Sequence, residues 1–89
     1  MYKRQVLPLA AKAALSAGSN NATTVGNATV VRIVATAGVV VVFRTDSAGT
    51  IIGSFTQLNN SVELVEKHAT DKIYVTGAAV EVAKVGYTA

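Results

Sequence analysis

A chain of 89 residues without cysteine has room for one domain with a thin core, and it excludes a disulfide framework and thiolate metal sites. Charged residues make up only 15% against an apolar fraction of 51%, where an ordinary soluble domain carries about 25% charge. Neutral or apolar patches must therefore face outward, and in a small protein they mark contact surfaces. The net charge of +3 comes from scattered basic residues of which only Lys3 and Arg4 adjoin, and tryptophan is absent. That is ordinary surface charge, not the clustered basic and aromatic footprint of a nucleic-acid binder.

Residues 1–27 stand apart from the rest as an N-terminal arm or edge segment, with a β domain over 28–89. The opening Tyr2-Lys3-Arg4-Gln5 resembles the translated end of a transposon adaptor used in building sequencing libraries, so the native status of residues 1–5 is open. Pro8 and Lys12 interrupt the residues after it, so no signal peptide is expected. "KRQVLPL" suits a short strand with Pro8 at an edge or strand end. "LAAKAALSAG" carries helix formers and a glycine stop, so an extended arm competes there with a short helix, and the arm is the preferred reading. "SNNATTVGN" reads as loop.

From Ala28 onward, β-branched residues recur in short runs separated by turn chemistry, the pattern of an all-β protein. The expected fold is a small antiparallel β-sandwich or barrel of six to seven strands with an extended N-terminal arm. In "ATVVRIVAT" (Ala28 to Thr36), Thr29, Val31, Ile33 and Ala35 face the core and Arg32 faces out. "GVVVVFRT" (Gly38 to Thr45) is apolar on both faces, as in a strand covered on both sides. The arm, a neighbouring sheet or another subunit must cover its second face, since left bare the run is an aggregation site. "TDSAGT" is a hairpin loop into "TIIGSFTQL" (Thr50 to Leu58), where Gly53 marks a bulge or a close backbone approach. "VELVEKH" (Val62 to His68) is read with Val62 and Leu64 inward and Glu63 and Lys67 outward. "KIYVTG" sets Ile73 and Val75 opposite Lys72, Tyr74 and Thr76. In "AVEVAKVGY" (Ala79 to Tyr87), Val80 and Val82 lie on one face and Val85 and Tyr87 on the other, a switch that a bulge near Ala83 would repair.

No residue set points to chemistry. His68 and Asp71 fall together in a turn, and no cysteine, second histidine or carboxylate cluster completes a metal site. Ser54 and Ser61 lack the surroundings of a nucleophile, and Glu63 and Glu66 fall on opposite faces of a strand. Three Asn-x-Ser/Thr matches, at Asn21, Asn27 and Asn59, read as turn composition, and the glycines form no phosphate loop. The longest apolar tract, Ala28 to Phe43, is broken by Arg32 and too short to span a membrane. The expectation is a non-enzymatic protein with no catalytic residue, no cofactor, no metal, no small-molecule substrate and no membrane partner, and with nucleic acid disfavoured as a partner. Lys3, Arg4, Val39, Val40, Val41 and Val42 are the candidate contact residues.

"NATVVRIVATAG", "GTIIGSFTQLNNSVELVEKHATDKIYVTGAA" and "AKVGYTA" together resemble small virion structural proteins of tailed bacteriophages, especially marine ones. The shared pattern is a Val-Arg-Ile-Val strand, a Gly-Ser-Phe-Thr strand, a Glu-x-x-x-Lys strand, a Thr-Asp-Lys-Ile turn and strand, and a closing Val-Gly-Tyr-Thr, spanning Ala28 to Ala89. The alanine-rich N-terminal third departs from it. The resemblance implies a β-sandwich component of the particle, a decoration or cement protein on the outside of the capsid. Its partners would be the major capsid protein, other virion proteins and further copies of itself. A tail, neck or fibre component, or a filament subunit assembled by strand donation, is the alternative. A single-stranded nucleic-acid-binding barrel ranks third, because Phe43, Phe55, Tyr74 and Tyr87 fall on no single obvious platform.

Overall fold

The computed structural model describes residues 6–87. Eight strands form in chain order: β1 Val6–Pro8, β2 Ala13–Leu15, β3 Val30–Ala35, β4 Val40–Thr45, β5 Ile51–Gln57, β6 Ser61–Glu66, β7 Lys72–Thr76 and β8 Val80–Tyr87. A single 3-10 turn at Ser19–Asn21 interrupts the pattern. All pairings are antiparallel. Sheet A runs β1-β8-β3-β6, with β2 also on β8, and sheet B runs β5-β4-β7. The protein is a small all-β sandwich, as its sequence pattern requires.

β-branched residues fill the space between the sheets, where a branched side chain packs well on a pleated surface. Val31, Ile33 and Ala35 of β3 and Val80 and Val82 of β8 meet Val40 and Val42 of β4 and Ile73 and Val75 of β7. Burying each Val or Ile side chain contributes about 1.5–3 kcal/mol relative to exposure. Alternation thus sorted β3 and β7 correctly, with Arg32 exposed, and placed Val80 and Val82 of β8 inward. Thr29 lies outside β3 and is exposed.

The valine run divides between two environments. Val40 and Val42 are buried in the core, whereas Val41 and Phe43 lie half-buried on the outer face of sheet B, and Phe43 stacks on Tyr74 at 4.7 Å between ring centroids. Among the described residues the arm does not cover that face. β1 and β2 instead pair with β8 in the other sheet, and Leu15 enters the core. The segment is extended, with no helix over Leu9–Gly18.

The bulge expected near Ala83 is absent, because β8 keeps unbroken register with β3 from Val85 opposite Val30 to Glu81 opposite Val34. Val85 is apolar because it meets Val30 on the outer face, where both are buried. The irregularity sits in the arm, which loops out between Pro8, opposite Val85, and Ala13, opposite Val82.

After β2 the chain crosses to the edge of sheet B. Gly18 N–H donates to Val75 O at 2.8 Å, and Thr23 exchanges two backbone hydrogen bonds with Ile73 at 2.8 and 3.0 Å. This seals the β7 edge. The chain then returns to β3 through Val25, Gly26 and Asn27, all with positive φ. The hairpin between β4 and β5 turns on Asp46, whose Oδ1 accepts from Ala48 N–H and Thr50 N–H, both at 2.9 Å. Register slips between Arg44, opposite Gly53, and Thr45, opposite Ile51, so the bulge falls on Ile52 beside Gly53, and no backbone approaches Gly53 closely.

Candidate interaction surface

The main departure from the sequence reading is in β6. Val62 and Leu64 point outward at 48% and 39% exposure, because β6 pairs with β3 in a register that sets Val62 opposite Val34 and Leu64 opposite Arg32. Contacts from the preceding connection hold that register. Asn60, in a left-handed conformation, donates its N–H to Ala35 O at 2.7 Å, and Gln57 Nε2 donates to both Ile33 O and Ser61 O at 3.0 and 3.1 Å. Glu63 takes the inward parity opposite Ile33 yet remains exposed, and Val65 supplies the inward apolar contact.

The outer face of sheet A consequently exposes Val62 and Leu64, where a sandwich normally presents polar residues, on the same face as the charged Arg32, Glu66 and Glu81. Val62 and Leu64 continue across the sheet through Val34 and Ala83 to Val6 and Pro8, with Arg32 exposed in their midst. An open groove of about 370 Å³ runs between the arm and Arg32, floored by Ala83 and Val85. The Lys12–Glu81 ion pair, at 2.6 Å, lies on this side of the protein.

A second cluster is structural. Lys67 was expected outward but is buried, its Nζ donating to Ala28 O at 2.7 Å and to His68 O and Ala69 O at 3.3 and 3.4 Å. Burial pushes this ammonium below its ordinary pKa, against the opposing pull of the Asp71 carboxylate. Asp71 is also buried, accepts from His68 N–H at 3.3 Å and lies 3.7 Å from Arg44 Nη1. His68 itself is exposed, so the pair is turn chemistry, with Asp71 facing the protein. The chain thus uses a lysine to tie the β6–β7 connection to the segment entering β3. A strand-end lysine two positions beyond an apolar residue gives no sequence signal for this.

Glu63 and Glu66 lie on opposite faces of β6, as expected, and Ser61 Oγ is used in a hydrogen bond to Leu58 O. Among the described residues no group of three or more histidine, aspartate or glutamate side chains could hold a metal ion. Of the candidate contact residues, Lys3 and Arg4 lie outside the described residues. Val40 and Val42 are core residues at 1% exposure, so they cannot meet a partner, while Val39 is exposed and Val41 is half-buried on the outer face of sheet B. Phe43 and Tyr74 do share a face, but their rings are stacked on each other. No protein family matches the chain, and neither a curated protein nor a solved structure does.

Proposed function

We propose that this chain is a non-enzymatic structural protein of a bacteriophage particle, a decoration or cement protein that adheres to the outside of the capsid through the outer face of sheet A. The observation that carries the reading is the outward, exposed placement of Val62 and Leu64 beside Val34 and Arg32. Exposed apolar side chains grouped on one face of a small protein mark a contact surface. The resemblance of residues 28–89 to small virion proteins supplies the partner. Each site would add modest free energy, and repetition over the shell sums it. The arm is occupied along β8 of its own chain, which favours adhesion through a face over assembly by donation of that arm.

The test is the copy number of this chain relative to the major shell protein in purified particles, by quantitative mass spectrometry. Abundance comparable to the shell protein supports decoration, a handful of copies moves it to the neck or tail, and absence removes the virion reading. A Leu64→Glu variant, altered at an exposed position, should keep its melting temperature within a few degrees and lose binding to particles lacking the protein. Retained binding overturns the assignment of this face.

A further inference from the structure

Each sheet of an open sandwich has two edge strands, and natural proteins guard such edges with charge, proline, bulges or a covering segment. Among the described residues three of the four edges are guarded. The arm edge carries Pro8 and a loop-out before Ala13, β6 carries Glu63 and Glu66, and β7 is covered by Gly18–Thr23. β5 is different. Its seven residues, IIGSFTQ, contain no charge and no proline, all but Gln57 are exposed, and its register slip at Ile52 leaves Gly53–Gln57 in regular register with β4. Ile51 and Ile52 are about half exposed, at 53% and 48%.

We propose that β5 pairs with β5 of a second copy, antiparallel about a two-fold axis through Ser54, joining the two B sheets into one continuous six-stranded sheet. Three features select this occupant. A neutral strand meets itself without like-charge contact, which β6 with its two glutamates could not do. Centring on Ser54 sets Gly53 directly opposite the partner's Phe55, and Phe55 opposite the partner's Gly53. A cross-strand aromatic ring covering a glycine is a favourable pairing. Space exists for it, since a Cβ built on Gly53 would meet nothing within 4 Å.

The third feature is the cleft behind that glycine. Gly53 and Phe55 lie opposite Arg44 and Val42, so they face inward, toward a cleft of about 170 Å³ whose largely apolar lining includes Val42, Val65 and Ile73, with Arg44 and Glu66 as its charged members. A cavity of about 150 Å³ suffices for a benzene ring, so the partner's Phe55 can settle over Gly53 against this apolar opening. The sheet A face proposed to bind the shell stays free, and two such faces on one dimer would let it hold two neighbouring shell sites.

The absence of native cysteine makes the register directly testable. Directly opposed residues in an antiparallel pair have Cα atoms about 4.5–5.5 Å apart, within disulfide range. Ser54→Cys should therefore form a covalent dimer rapidly under mild oxidation. Thr56→Cys should not, because its symmetry mate lies four residues along the strand direction, about 13 Å away. In sedimentation equilibrium the unmodified full chain should show twice the 9.1 kDa chain mass. Ser54→Lys, which opposes two ammonium groups across the axis at an exposed position, should sediment as a monomer with an unchanged circular dichroism spectrum. A monomer at every concentration, equal cross-linking at both cysteine positions, or a dimer surviving Ser54→Lys overturns the proposal. A chain that is monomeric alone but gains protection of β5 amides on shell particles would assign the edge to the shell instead, and would overturn it too.

Discussion

Replacing Leu15 by alanine tests whether the N-terminal segment is an appendage or part of the core. Leu15 is 4% exposed and belongs to the buried cluster with Val80 and Val82. The substitution removes three side-chain carbons, each contributing about 0.8 kcal/mol when buried, or about 2.4 kcal/mol together. A groove of about 360 Å³ opens alongside, lined by Ala13, Leu15, Val25 and Val82, so water can reach the gap and the additional cavity cost is small. The expected loss is about 2–3 kcal/mol. For a domain of this size that corresponds to a fall in melting temperature of about 10–20 °C. Total stability is about 4–13 kcal/mol on a per-residue scale, so the variant should still fold. Leu9→Ala is the control, since Leu9 is 56% exposed and its loss should cost about 0.5 kcal/mol or less. Thermal melts of the two variants by circular dichroism decide the matter. If Leu15→Ala melts within about two degrees of Leu9→Ala, the arm is not packed as described and the reasoning fails.

Two further predictions concern the connections. Gly77 has φ of +103°, and a Cβ there would lie 2.7 Å from Val39 O, so Gly77→Ala combines backbone strain with a clash and should cost about 3 kcal/mol or more. Gly49→Ala, at φ +96° with open space, bears strain alone and should cost about 1–2 kcal/mol; equal urea midpoints would refute the clash. Lys67 carries a folded-state pKa below its unfolded value of about 10.4. The unfolded chain therefore binds more protons between the two values, and the burial penalty, fully present below the lowered pKa, is relieved as pH rises through that window. The stability of the parent chain relative to Lys67→Met should accordingly rise between neutral pH and about pH 10.4, and a flat or falling difference in urea midpoints would contradict the burial of this group.

The strands were legible wherever a polar residue marks one face of an alternating run. Arg32 does this in β3, and Lys72 and Tyr74 do it in β7. Asp46, Ser47 and Gly49 announced the hairpin because their chemistry is local: a side chain accepting amides two and four residues on, and a glycine at positive φ. β6 was not legible, since Val62, Leu64 and Val65 are apolar on both parities and its own pattern leaves the inward face undecided. The candidate surface was hidden for the same reason. Composition announced that apolar area would face outward, but the valine run was the conspicuous place for it, and half of that run is core.

Residue type and period thus determined the all-β class, the position of each main strand, the inward faces of β3 and β7 and the first half of β8, because alternation is a property of a strand and its own side chains. Which face β6 turns outward, where the arm lies, and which edge stays open were decided only in the tertiary structure. Each depends on hydrogen bonds between residues far apart in the chain, such as Gln57 with Ile33 and Gly18 with Val75, and a one-residue change in that pairing reverses every side chain on the strand.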